Sequence, residues 1–451
     1  MPSSGLGLPS SANREPFDED VFVGPPGAER AQGRLRYSPD QGLTLTVMGA
    51  DWLAGEQTEQ AWPSLQGESF ASVPLTLLDT AGRRREFTHR RGRAEISAQT
   101  LVVGTHVASR QELRFGRAAF SLRGLREWLS GGWSQIEPNL KVGVNNPDVQ
   151  TLNLTIGEAD LLFVSNLQER IARFRTVEER EADVSITVAE PASLSQWQER
   201  WITPLRDLMI FANRERSVLT ELSGFVEADT LHGAVRIFER RETTIDPETN
   251  FSFYQRDLLP AGIIDPAALV TAWIDLHSRL GASTAFLFGT LNASRLPVEN
   301  EFLNLMAFAE AYHRVLHDEP PLEAEDHSRY RASMLAALPE DEEVRALYDR
   351  DFDFSNRQSQ RERMRWFVIR AEMEDWADDL GEEIVGRLVA TRNWLTHWGK
   401  KTTKVAEGPD LALLNRQLLF VIESNLLSDL GLDDEAVTRC LALGYVWDYP
   451  F

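Results

Sequence analysis

Cysteine is almost missing from these 451 residues, with Cys440 standing alone. That excludes an intramolecular disulfide and any cysteine-based zinc site, and makes a buried structural thiol the expected role. No run of 18 or more apolar residues occurs, and the first residues lack the charged-then-apolar order of a signal peptide. A soluble, cytoplasmic protein without a membrane segment is expected. Positive charge is also short: Lys and Arg number 47 against 69 Asp and Glu, a formal net charge of -22. The overall field therefore repels nucleic acid, and any contact with it has to come from a local basic patch. Lysine is the scarcer cation, limited to Lys141, Lys400, Lys401 and Lys404. Three of them cluster, which makes their surroundings informative.

The length predicts two or three domains. Residues 1–15 are rich in Ser, Gly and Pro and are expected to be disordered. Residues 16–190 carry the punctuation of strands. Gly33 to Tyr37 and Leu43 to Val47 alternate apolar and polar on either side of a Ser-Pro-Asp-Gln-Gly turn, a hairpin signal. Val73 to Leu78, Leu101 to Val107, Leu113 to Leu122, Val149 to Ile156, Leu161 to Val164 and Val184 to Val188 are further candidates, with a short helix at Leu125 to Leu129. Residues 191–264 form a bridge belonging to the N-terminal half. In it a helical pattern capped by Ser193 or Ser195 runs to about Leu222, followed by a strand from Ala234 to Phe238. From residue 265 to 451 the pattern is helical throughout, with eight apolar-periodic segments: Ala267 to Leu280, Glu299 to Leu316, Arg329 to Leu338, Glu342 to Tyr348, Arg357 to Asp375, Glu382 to Trp398, Leu411 to Leu427 and Asp434 to Leu443. The expected class is α+β and multidomain: a β-rich N-terminal domain, then an all-α bundle.

One segment stands out, Leu388-Val-Ala-Thr-Arg-Asn-Trp-Leu-Thr-His-Trp-Gly399. On a helical wheel Arg392, Thr396, Asn393 and His397 follow one another over roughly 140°, while Ile384, Leu388, Leu395, Trp394 and Trp398 fill most of the other side. The polar side faces away from the helix's own core. The competing reading is an ordinary surface helix end, capped by Gly399 and trailed by cations that suit the helix dipole. Spacing alone decides nothing, since Arg84 and His89 share it. That copy lacks the Asn and the amphipathic helix, and lies in a run from Arg83 to Arg93 that fits a charged hairpin loop, with nucleic-acid contact as the alternative.

Arg-Asn-x-x-x-His on a helix resembles the signature of HEPN-superfamily ribonucleases. Its place in the last third of a long chain is similar to the Apea-like HEPN proteins of bacterial abortive-infection systems. Leu101-Val-Val-Gly-Thr-His and Leu125-Arg-Glu-Trp-Leu129 are similar to phrases of the N-terminal domain that accompanies them. The resemblance implies a HEPN bundle acting as an endoribonuclease effector in phage defence, on RNA with tRNA among the candidates. It also implies a homodimer whose protomers meet across these helices to build a composite site. The N-terminal region becomes a sensor or regulator, open to a phage-derived trigger.

The residue types suit such chemistry. RNA carries its own nucleophile, the 2′-OH, so cleavage without metal or cofactor needs proton transfer near neutral pH and positive charge for the phosphorane-like transition state. Histidine as a residue type fits the first task and a guanidinium fork the second, which assigns His397 and Arg392. Asn393 would orient the histidine or the phosphate, and the products would carry a 2′,3′-cyclic phosphate and a 5′-OH. Glu310 and Thr396 are the candidate supporting residues, Glu310 as a carboxylate against Arg392 or His397.

RNA-backbone contacts are expected from Lys400, Lys401 and Lys404 behind the motif, and from Arg357, Arg361 and Arg365, spaced i, i+4, i+8 along one helix face. The bland alternative for the arginines is a solvated face paired with Glu362 and nearby acids. His313 and His317 have a two-ligand metal spacing, but lack a His-Glu-x-x-His context and a further ligand, so no metal is expected. Trp52, Trp62, Trp128 and Trp133 read as core, with a ligand groove as the alternative. The rival function is a catalytically silent ligand-binding protein whose helical domain only dimerises.

Overall fold

The computed structural model describes residues 16–38, 41–49, 52, 59–88, 91–125, 128–129, 149–172, 175–225, 234–239, 258–259, 265–293, 295–353, 355–371, 378–399 and 401–445. Residues 1–15, His89, Trp133, Lys141, Lys400 and much of the 226–264 stretch lie outside them. The chain divides into two compact units, Met1–Ile274 and Asp275–Phe451.

The first unit is built on twelve strands: β1 (Phe17–Gly24), β2 (Ala31–Ser38), β3 (Gly42–Met48), β4 (Glu59–Ser69), β5 (Pro74–Thr88), β6 (Arg91–Val103), β7 (Arg114–Leu122), β8 (Val149–Ile156), β9 (Ala159–Ala172), β10 (Arg175–Ser193), β11 (Leu219–Phe225) and β12 (Val235–Glu239). Antiparallel pairing runs β3-β2-β1-β4-β5-β6, and a further β3–β6 pairing closes these six into a barrel. β6 manages this by changing partner along one edge. Arg93 to Ala98 pair with β3, whereas Thr100 to Val103 pair with β12 and continue the sheet outward through β11, β7, β10, β9 and β8.

Period-two patterning sets which side chains fill the barrel. In β2, Gly33, Leu35 and Tyr37 are buried, while Arg34 and Arg36 point out and both donate to Asp18 of β1, at 2.6 and 3.1 Å. Val21, Leu45, Val47, Leu77, Ile96 and Leu101 complete the centre. At Gly67 of β4 a Cβ would stand 2.0 Å from the Phe22 carbonyl oxygen of β1, so only glycine permits that close approach. Trp52 and Trp62 meet edge to face at 5.4 Å, and Trp62 and Trp128 are buried. Their place is the core, as the default reading has it. Of the Arg83 to Arg93 run, residues 83–88 lie on β5 and residues 91–93 on β6.

The helical pattern after residue 191 stops earlier than its periodicity predicts. Ser193 caps it, accepting from the Gln196 N–H in a capping box. The helical run then proceeds through Leu194–Trp197, a π-turn at Gln198–Ile202, and α1 (Thr203–Asn213). Arg214, left-handed at φ 53°, ends it, so Leu219 and Leu222 belong to β11 rather than to the helix. Their i, i+3 spacing mimicked one more helical turn. β1 and β4 went unpredicted because β1 opens with acidic residues and β4 contains Pro63 and Gly67, which weaken the strand signal.

After α2 (Pro266–Leu280), within which the division falls, come α3 (Thr284–Asn292), α4 (Val298–Leu316), α5 (Ala324–Ala336), α6 (Glu342–Asp353), α7 (Gln360–Arg370), α8 (Asp378–His397), α9 (Pro409–Asp429) and α10 (Asp434–Gly444). Each of the eight expected segments holds a helix, although α7 covers only Gln360–Arg370 of the expected Arg357 to Asp375, whose residues 372–375 lie outside the described ones. α3 was not foreseen, since Thr284-Ala-Phe-Leu-Phe-Gly-Thr-Leu-Asn is too short and too uniformly apolar to show a period. In the second unit α4 is central, packing on α3, α7, α8 and α9. Phe302, Leu305, Phe308 and Tyr312 from α4 are buried, as are Met364 and Phe367 from α7, Ile384, Val385 and Leu388 from α8, and Leu414, Leu418 and Val421 from α9. Cys440 on α10 is fully buried, and burial pushes its thiol up to about 11, which keeps it inert. No helix among the described residues is long and apolar enough to cross a membrane.

α4, α7 and α9 also share a polar cluster. Asp429 accepts from the Tyr312 hydroxyl, the Arg370 guanidinium and, at 3.2 Å, His317 Nε2. Burial alone would raise the Asp429 carboxyl, but the bonds from Arg370, Tyr312 and His317 outweigh it and hold the carboxyl below its ordinary value. His317 lies over Trp366 at 4.3 Å, and burial, only partly offset by Asp429, lowers its imidazole. His313 is fully buried edge-on to Trp366 at 4.9 Å, and neither ring nitrogen has a hydrogen-bond partner among the described residues. Burial, reinforced by the Arg363 charge, pushes His313 down to about 4. The two histidines thus belong to a packed core network, their ring centroids 6.3 Å apart.

Candidate functional site

α8 carries the Arg-Asn-x-x-x-His segment. Ile384, Val385, Leu388 and Thr391 are its buried stripe, and this fixes which residues are left to the other side. Thr391 is polar but fully buried, and its Oγ1 accepts from the Ala406 N–H at 2.9 Å. That bond ties the chain following the helix back against it.

Arg392 is half-buried and turned toward α4, where its Nε lies 3.4 Å from Glu310 Oε1. Glu310 is only 14% exposed and also accepts from Gln360 Nε2, at the start of α7. The Glu310 carboxylate is thereby held between the Arg392 guanidinium and Gln360. Arg392 NH1 reaches Asn393 Oδ1 at 3.5 Å, while Asn393 itself is exposed. The Thr396 hydroxyl donates to the Arg392 carbonyl at 2.8 Å, which occupies it within the helix. His397, the last helical residue, is exposed, and no described residue hydrogen-bonds its ring. Arg392 and His397 are thus carried by one helix without bonding each other. Five residues apart on a helix, they diverge by about 140°.

The helix end differs from the sequence expectation. The left-handed position is Trp398, at φ 49°, and not Gly399. Its N–H donates to the Trp394 carbonyl at 2.8 Å, and its side chain stands in solvent instead of extending the apolar face. A wheel continued past the last helical residue misplaces it.

Of the expected cationic contacts, Arg357, Arg361, Arg365 and Lys401 are engaged. Arg361 and Arg365 both reach α8, where they share Glu382 at 2.8 and 2.7 Å, and each stays more than half exposed. Glu362, the partner foreseen, instead closes a capping box with Ser359 at the start of α7. Arg357 is engaged as well. Lys401 pairs with Glu407 and lies 5.4 Å from the Trp394 ring centre. Lys404 folds across Gly386 of α8, its Nζ 3.0 Å from where a Cβ would stand. Glu382, Gln360 and Thr391 were not foreseen. Only Thr391, a polar residue inside the run Leu388-Val-Ala-Thr, left a visible signal.

Residues 21–260 match the family model described as ApeA N-terminal domain 1, and residues 303–436 match that described as Apea-like HEPN. The second span contains the whole of α8. No curated protein and no solved structure matches the chain.

Proposed function

This chain belongs to the ApeA family, with an ApeA N-terminal domain and an Apea-like HEPN domain, and from that premise we propose that it is an endoribonuclease effector of phage defence. The observation that carries the reading is the pairing, at the end of α8, of an Arg392 fixed by Glu310 with a His397 whose ring is exposed and uncommitted. His397 takes or gives the proton as the 2′-OH attacks the adjacent phosphorus and the 5′-oxygen leaves. Arg392 stabilises the charge that builds on the phosphoryl oxygens. Asn393, exposed beside them, orients the phosphate. The products carry a 2′,3′-cyclic phosphate and a 5′-OH. RNA, tRNA included, is the substrate class. The β-rich unit regulates, with a phage-derived molecule as trigger. The test is end-mapped RNA sequencing after induced expression of the wild type beside His397→Ala: new ends confined to the wild type support the reading, and identical ends in both refute it.

A single imidazole cannot easily serve as both base and acid, and Arg392 and His397 diverge on their helix. Two protomers facing each other across α8 would supply the missing group, so the active form is a homodimer through the helical unit. Light scattering at micromolar concentration should give twice the chain mass. A monomer with full activity would contradict this.

Proton transfer and charge stabilisation are both assigned to side chains, so cleavage should persist in EDTA. Loss with chelator and recovery with a divalent ion would overturn that assignment.

The rival reading, a silent module that only binds and dimerises, draws on the acids that occupy Arg361, Arg365 and Lys401. It requires wild type and His397→Ala to behave alike in the sequencing experiment.

A further inference from the structure

Trp398 is the most exposed large apolar side chain among the described residues, at 73%, and its backbone is left-handed at φ 49°. Both features cost stability: indole surface left in water, and a backbone conformation that a residue with a Cβ adopts at a cost. Glycine, which takes that conformation freely, is the very next residue. An exposed tryptophan kept at such a position, one residue from His397, suggests use.

Its surroundings suggest what for. The Trp398 and Trp394 rings stand 5.6 Å apart, tilted by 58°, and the Lys401 ammonium is 5.4 Å from the Trp394 ring centre. Trp398 and Lys401 thus both flank Trp394, and Trp398 opens to solvent. The group is held by the Lys401–Glu407 pair and by the bond from the Ala406 N–H to buried Thr391. An aromatic face beside the Lys401 ammonium suits a ligand with a flat π-system on a negatively charged backbone. A two-fold contact centred on Trp398 itself would set Lys401 against its own equivalent, so the homodimer expected across α8 is centred elsewhere on that helix and leaves the indole to a ligand.

Resting on the ribonuclease reading above, we propose that Trp398, backed by Trp394, is a stacking subsite for an unpaired nucleobase next to the scissile phosphate. The substrate is then single-stranded or looped RNA, because a base must leave its helix to lie on the indole. The base fixes the nucleotide, and the neighbouring phosphodiester falls beside His397.

The test uses the full chain with Trp398→Leu, which keeps apolar bulk, and Trp398→Phe, which keeps a smaller π-face. Binding of a single-stranded oligoribonucleotide is measured in a His397→Ala background, and cleavage in the otherwise native one. Trp398→Leu should weaken binding by about 10- to 100-fold, and Trp398→Phe should recover most of it. An abasic nucleotide beside the mapped cut should weaken binding to Trp398 but cost Trp398→Leu nothing more. Wild type that cuts RNA while Trp398→Leu binds and cuts equally well overturns the stacking subsite and spares the ribonuclease. Wild type that cuts and binds no RNA overturns both. Trp398→Leu that dissociates to monomers, with RNA affinity regained once the dimer is restored at higher concentration, overturns it in favour of a protein contact.

Discussion

Single-turnover cleavage by His397→Ala and by Arg392→Ala should each fall by about 10² or more, with RNA affinity nearly unchanged. His397 has no protein partner to lose among the described residues, so its removal takes away the proton-transfer group and little else. Arg392 interacts most strongly when negative charge accumulates on the phosphoryl oxygens, so its loss appears in the chemical step. Glu310 gives a graded control. Glu310→Gln keeps the shape but removes the charge that holds Arg392 Nε at 3.4 Å, and should lower the rate at saturating RNA less than Arg392→Ala does. Lys400, Lys401 and Lys404 contrast with all three. As point charges rather than geometric forks they would attract phosphates alike in the ground and transition states, so their triple alanine variant should weaken binding and flatten its salt dependence while sparing the rate at saturation. A lysine variant that failed on saturated RNA, beside a His397→Ala that cut normally, would place the active site elsewhere.

The helical unit was legible because its helices carry long apolar periods ended by Pro, Gly or acidic breaks, and α8 shows one face of Ile384 and Leu388 opposite another of Asn393 and His397, with Arg392 at the border. Patterns this regular survive without tertiary information. The barrel was legible only strand by strand. Its closure depends on β6 serving β5, β3 and β12, and a pairing between residues fifty positions apart leaves no local trace. At the site, Arg392, Asn393 and His397 could be named from one segment. The residues that hold them could not, because Gln360 meets Glu310 and Arg361 meets Glu382 only after three helices have packed. Trp398 shows the opposite failure. Its residue type and spacing were plain, but one left-handed backbone angle moved it from the expected apolar face into water.

Asp429→Asn should destabilise the second unit strongly while leaving the motif untouched. The carboxylate is only 15% exposed and accepts from Tyr312 on α4 and Arg370 on α7, with His317 beside them. Without its charge Arg370 is left among uncharged neighbours, Tyr312, Asn425 Oδ1 at 3.4 Å and the Trp366 face, and a cation 28% exposed stays without a counter-ion. Breaking one side of a buried pair costs about 3–5 kcal/mol, and the partial exposure of Arg370 reduces that to about 2–3 kcal/mol. For a unit of this size that is a fall in melting midpoint of roughly 5–10 °C. Removing both charges with Arg370→Met and Asp429→Leu should recover part of the loss, since it is the orphaned charge that is costly. The same melts carry a pH signature. His313 stays neutral in the fold down to about 4, whereas the unfolded chain takes up its proton below the ordinary 6.5. Stability therefore falls as pH drops from 6.5 towards 4, with lowered His317 adding to the slope. Asp429, held low, adds its own loss only below the ordinary carboxylate range. His313→Phe should make the 6.5-to-4 slope shallower, and Asp429→Asn should leave His313's share of it in place. A slope unchanged by His313→Phe would mean that the buried imidazole does not govern it, and an Asp429→Asn melt within 1 °C of wild type would deny the carboxylate its role.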